Sequence, residues 1–127
     1  MVAQRVRLTA ASANIAGASV VEDQYGNYAP FLRREVMLAS GDPSSTSREG
    51  RGLGVHVREV YQNPEALRAR YMPSSPHADE NGYVMAPDIS SVAEQVDAME
   101  ASRAYEANVA AAEVSKAMLA QALRLIA

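Results

Sequence analysis

The stretch DISSVAEQVDAMEASRAYEANVAAAEVSKAMLAQALRLIA, Asp88 to Ala127, decides the fold. It follows Pro87 and contains neither Gly nor Pro. Ala, Glu, Met, Leu, Gln and Lys, all strong helix formers, fill it. Pro87 and Asp88 lead in, and Ser91 with Glu94 has the spacing of a capping box. These features predict one helix from about Ser90 to about Leu125, roughly 50 Å long. Such a helix outgrows a compact domain of this size and is expected to project as a coiled-coil-like arm.

Its apolar residues fall into two stripes. At about 100° per residue, Ile89, Val92, Val96, Met99, Val114, Met118 and Leu125 share one side with Ala107 and Ala110. Tyr105, Val109, Ala112, Leu119, Leu123 and Ile126 lie on roughly the opposite side. Charge is confined to the seams, apart from Glu94, Arg103 and Lys116. A surface helix needs one stripe, and a second calls for burial against another neighbour. So short a chain supplies one partner helix, so the second stripe points to other subunits. An ordinary amphipathic helix with a few spare apolar residues accounts for the periodicity equally well. Eleven alanines between Ala98 and Ala127 would let helix axes approach closely. Val114 and Leu119 are about 140° apart and fall on different faces. If one face packs on the chain's own N-terminal helix and the other on neighbours, charge at one of them should unfold the subunit and charge at the other should block assembly.

Composition narrows the function. The 127 residues amount to one domain or one small module with extensions. The chain is 48% hydrophobic but holds one Phe and no Trp, so large core anchors are few. A net charge of −3 gives no basic footprint for nucleic acid. With no cysteine there is no disulfide, thiolate catalysis or Cys-based metal site. No apolar run approaches the length of a transmembrane helix, which argues against direct membrane insertion. The start carries Arg5 and Arg7 without the apolar segment of a secretory signal. Residues 1–18 are net positive and residues 88–127 net negative, which agrees with the two ends pairing.

The chain divides into residues 1–18, 19–87 and 88–127. The first reads as a helix with Val2, Val6 and Ala13 on one stripe, Leu8, Ala11 and Ile15 on another, and Gly17 as the stop signal. It begins inside the pattern, with no cap ahead of Val2, as a truncated or misplaced start would. Residues 19–87 read as a small antiparallel β module. Leu32, Val36 and Leu38 alternate with Arg33, Glu35 and Met37 as a strand with one face covered, and Arg34 falls on the inner phase. Residues 39–52 are expected to be a mobile loop. Leu53 to Tyr61 is a strand, with Leu53, Val55 and Val57 facing one way and His56, Arg58 and Val60 the other. Leu67 to Tyr71 is a strand or a short helical turn. Asn81-Gly82 is a hairpin turn into a short strand, Tyr83 to Met85. The fold class is therefore α+β: terminal helices pairing as an extended coiled-coil-like hairpin around a small antiparallel β module.

Four stretches together resemble the rod proteins of the bacterial flagellar basal body. Ser12-Ala13-Asn14-Ile15-Ala16 looks like that family's N-terminal signature. Tyr71 to Val84, YMPSSPHADENGYV, looks like the hinge of the FlgC type of proximal-rod proteins and is the most specific of the four. Pro87-Asp88-Ile89 resembles its helix entry, and Ser102-Arg103-Ala104-Tyr105-Glu106-Ala107-Asn108 the C-terminal signature of the whole axial family. Gly17 departs from the family's usual Asn. The resemblance spans essentially the full chain and implies a structural subunit, not an enzyme, with no cofactor. It implies export by the flagellar type III apparatus without a cleaved signal. It also implies assembly with itself and other rod proteins into the tubular, torque-transmitting drive shaft in the periplasm. The expected assembly residues are Asn14, Ile15, Val96, Met99, Arg103, Tyr105, Asn108, Val109, Val114, Met118, Leu119 and Leu123.

The competing function is a small metal- or ligand-binding protein that uses His77, Asp79 and Glu80, with His56 as a further candidate. The spacing of these residues is common by chance. Asp79 as a turn cap with His77 packed locally explains them more simply. Arg103 and Tyr105 diverge by about 160° on a helix, so they cannot line one small-ligand pocket.

Overall fold

The computed structural model describes residues 1–41, 44–47, 51–52 and 54–126. The elements run α1 (Val2–Gly17), β1 (Arg34–Ser40), β2 (Val55–Gln62), β3 (Leu67–Tyr71), β4 (Tyr83–Pro87) and α2 (Ser91–Ile126). The α+β class and the paired terminal helices are as the sequence predicts. The strands of the β module form two antiparallel ribbons, β1–β2 and β3–β4. At the start of the segment expected as a loop, β1 continues to Ser40, and Gly41 N–H donates to the Gly54 carbonyl at 2.9 Å. The rest of that expectation, at residues 42–43 and 48–50, lies outside the described residues, as does Leu53.

The expected strand alternation fails on the first ribbon for a local reason. Met37 pairs with Glu59 and Leu38 with Val57, so Arg58 is an extra residue on β2. Such a bulge inverts the facing of the β2 residues beyond it. Val57 and Val60, expected on opposite faces, therefore pair with Leu38 and Val36, which are two residues apart on β1 and share a face. The second ribbon keeps its period: Val84 and Ala86 are buried, and Tyr83 and Met85 are exposed. Leu67 to Tyr71 is a strand, in register from Leu67 against Pro87 to Tyr71 against Tyr83.

Two five-residue turns share one construction. In Asp23–Asn27 and Asp79–Tyr83, the Asp Oδ1 accepts from the backbone N–H two and four residues on, at 2.8–2.9 Å. The fourth residue is glycine with positive φ, 81° at Gly26 and 80° at Gly82. Glycine is the residue that adopts this conformation without steric cost. At Gly82 a Cβ would also come within 2.9 Å of the Tyr71 ring.

The helices pair antiparallel. Asn14, near the end of α1, meets Glu94, near the start of α2. The shared core is made of small residues: Ala3, Ala10, Ala11 and Gly17 on α1, and Ala101 on α2, are buried. Of the larger apolar residues of α1, Val2 and Leu8 are exposed, and Val6 and Ile15 are half-buried. Gly17 has its own reason to lack a side chain. The Phe31 ring lies where its Cβ would be, so an Asn there would collide with the one Phe of the chain. The turn after the first helix is thus built around Phe31, whose ring also carries the Arg34 guanidinium at 5.5 Å.

Candidate assembly site

The face of α2 turned to α1 is the one that carries the second apolar stripe. Glu94 and Ala101 are buried at its centre, and Ala98, Ala104, Val109 and Ala112 are half-buried around them. All of these lie within about 80° of Ala112, on the same side as Tyr105, Leu119 and Leu123. The opposite stripe is bare. Val92, Val96, Met99, Val114, Met118 and Leu125 are exposed, as is Arg103 between them.

Helix length sets a second division. At 1.5 Å per residue, α1 is about 24 Å long and α2 about 54 Å. With Asn14 fixed opposite Glu94, α1 ends near the middle of α2. From Glu113 to Leu125 every α2 side chain is exposed, including Leu119 at 66% and Leu123 at 68%. The distal part of α2 is therefore apolar on both sides and covered on neither. Val114 and Leu119 face different ways, as their spacing implies, and both are exposed in this structure.

A polar junction holds the helix pair to β1. The buried Asn14 side chain acts as a short piece of strand. Its Oδ1 accepts from Arg34 N–H at 2.8 Å, and its Nδ2 donates to the Arg34 carbonyl at 3.0 Å. Nδ2 also donates to Glu94 Oε2 at 2.9 Å. The other Glu94 oxygen accepts from Arg33 Nε at 2.8 Å. That bond raises the Arg33 pKa above its ordinary value, against the opposing effect of burial. Glu94 is only 3% exposed, yet both its oxygens are paired, as a buried carboxylate requires. Among the described residues, no buried side-chain N or O lacks a partner.

Asn14 is the one expected assembly residue that the junction uses. Glu94 and Arg33 escape a reading by sequence alone. Glu94 looks like the acid of a capping box on Ser91, but the helix is capped by Ser90, whose Oγ accepts from Ala93 N–H at 3.4 Å. A lone acid at the centre of an otherwise apolar face is the signal that could have revealed it. Ile15 is half-buried, while Tyr105 and Asn108 are exposed.

His77, Asp79 and Glu80 do not form a metal centre with His56. The Asp79 Oδ1 is held in its turn, and His77 Nε2 faces the Gly26 carbonyl at 3.2 Å. His56 lies on the other ribbon, with Nδ1 2.9 Å from the Gly41 carbonyl. Among the described residues, no three His, Cys, Asp or Glu side chains converge as a metal site, and no helix is long and apolar enough to cross a membrane.

Residues 80–125 match the C-terminal domain of the flagellar basal body rod FlgEFG proteins. The flagellar basal-body rod protein FlgC of Salmonella typhimurium is 34% identical, with 98% of this chain and 89% of that protein aligned. FlgC of Bacillus subtilis is 32% identical over 98% of this chain and 90% of its own length. FlgC of Borreliella burgdorferi is 32% identical over 99% and 90%.

Proposed function

The chain belongs to the FlgC family of flagellar basal-body rod proteins, and on that premise we propose that it joins the rod by burying the outward stripe and the distal part of α2 against neighbouring subunits. As a member of that family it is a structural subunit of the basal-body rod, not an enzyme, and assembles with other rod components.

The observation that carries the proposal is the uncovered distal segment, where Val114, Met118, Leu119, Leu123 and Leu125 are all exposed. Magnitude supports it. The chain exposes 9271 Å², whereas a compact monomer of its mass exposes about 6,600 Å². The excess is about three times the ~800 Å² that one partner loses in a standard interface. More than one neighbour is needed to cover it. Val96, Met99, Arg103, Val114 and Met118 would face one neighbour, and Leu119 and Leu123 another, with Tyr105, Asn108 and Val109 at the seam. Ile15, on α1, sits beside the Asn14 junction. A closed ring of such helix pairs is a tube, the shape of a drive shaft that transmits torque in the proximal rod. Delivery by the flagellar type III export apparatus to the periplasm, without a cleaved signal, completes the proposal.

Val114→Glu and Leu119→Glu test it together. Both should leave the thermal midpoint of the dilute chain within error, because neither side chain is covered there. Both should abolish motility and rod assembly when they replace the parent protein in the cell. Motility that survives either change, or a midpoint that falls on both, would sink the proposal.

A further inference from the structure

Two surfaces of the β module are apolar at the centre and exposed. The first is one face of the β1–β2 ribbon. Residues directly opposite on antiparallel strands share a face. Val36 pairs with Val60, Leu38 with Val57 and Ser40 with Val55, so these five apolar side chains stand together. Leu38, Val55 and Val60 are exposed, Val55 most of all at 58%. The charge that borders this face is basic. Arg34 shares it opposite Gln62, Arg58 stands at the bulge between Val57 and Val60, and Arg5 lines a small hollow with Arg34 and Val60. Glu35 and Glu59 fall on the other face. Arg5, Arg34 and Arg58 take part in none of the ion pairs of the described residues.

The second surface lies where the segment between α1 and β1 leans on the β3–β4 ribbon, with Tyr28 Oη donating to the Met85 carbonyl at 2.8 Å. Tyr28, Ala69, His77, Asp79, Tyr83 and Met85 line a hollow of about 460 Å³ there. Tyr71 packs edge-on against Tyr83 with ring centroids 5.4 Å apart. Tyr28, Tyr71, Tyr83 and Met85 are all exposed. Clustered tyrosines of this kind anchor protein interfaces. The charge that borders the hollow is acidic. Asp79 lines it, exposed Glu80 follows Asp79 in the turn, and Glu22 Oε1 is 3.6 Å from His77 Nε2. Arg68 and Arg70 fall on the opposite face of β3, paired with Ala86 and Val84.

An aliphatic face with a basic border fits an aromatic hollow with an acidic one, and neither fits a copy of itself, because like charges would meet. We propose that the β1–β2 face of one copy docks on the tyrosine hollow of a second copy, with Arg34 and Arg58 toward Glu22, Asp79 and Glu80. The contact joins unlike faces, so it propagates from copy to copy instead of closing on a pair. It is separate from the contacts of α2 and adds a tie between β modules.

The chain has no cysteine, so single cysteines report which faces meet. Full chains carrying Val55→Cys and full chains carrying Met85→Cys are mixed and oxidised across a concentration series. Both also carry Val114→Glu and Leu119→Glu, so that α2 contributes nothing and the outcome does not depend on it. The mixture should give a cross-linked dimer holding one chain of each kind, well above the yield of either chain alone. Arg58→Glu in the first chain should lower that yield about fivefold, the scale of one exposed ion pair. Glu80→Arg in the second should do the same, and the two changes together should restore it. Equal cross-linking of either chain alone overturns the proposal, since each face would then meet itself. So does a mixed yield that ignores the charge exchange. No mixed dimer at any concentration assigns the two faces to other partners and overturns it as well.

Discussion

The two halves of α2 use the same helix for opposite ends. From Ser91 to Ala112 the face turned inward is built of Glu94, Ala98, Ala101 and Ala104, small residues and one paired acid. From Glu113 onward the residues are larger and exposed. In an ordinary subunit the large residues would be inside and the small ones spared. Here the order is reversed: the internal seam holds the helix axes close with alanines, and the large residues stand exposed, where the proposed assembly would cover them.

The largest effect should come from the junction beneath the covered half. Asn14→Ala leaves the Arg34 backbone pair and one oxygen of the buried Glu94 without their partner. That should lower stability by about 3 kcal/mol, measured by denaturant unfolding of the dilute chain. A loss under about 1 kcal/mol would mean that the junction is ornamental and the two halves are held alike.

The next effect contrasts the halves directly. Ala101 is fully buried, so Ala101→Leu should force the helix axes apart at about 1–3 kcal/mol. Leu119→Ala should stay within about 0.5 kcal/mol in the same assay, as surface changes do. Equal losses at the two positions would show that the distal half is covered within the chain after all.

The smallest effect lies away from both. The Asp23 carboxyl is held below its ordinary pKa, chiefly by Asn27 N–H and then by the Asn27 side chain, with Tyr25 and Gly26 N–H adding to it. A depressed carboxyl contributes above its unfolded value of 3.8 and loses that contribution as the pH falls through its folded value. Acidification below that point should loosen the turn of residues 23–27 and leave the helix seam unchanged. NMR shifts of the Asn27 amide would follow it, and Asp23→Asn should remove the step.

What could be read along the chain was local. Helix propensity and Pro87 marked α2 to within a residue or two, because each residue votes independently for helix. Period placed the two apolar stripes correctly. The Asp79 turn was legible because its hydrogen bonds close within five residues, and its counterpart at Asp23 follows the same rule. Asn14 and the Tyr71–Val84 hinge were visible as resemblance.

The tertiary structure alone decided which stripe α1 takes, how far along α2 it reaches, and what Glu94 binds. Glu94 has the right spacing for a local cap, and only the arrival of Asn14 and Arg33 from elsewhere in the chain turns it inward. The bulge at Arg58 likewise reversed a strand phase that had been regular in sequence. Local terms depend on neighbours a few residues away, whereas these outcomes depend on which distant side chain can satisfy a buried charge or fit between two close helix axes.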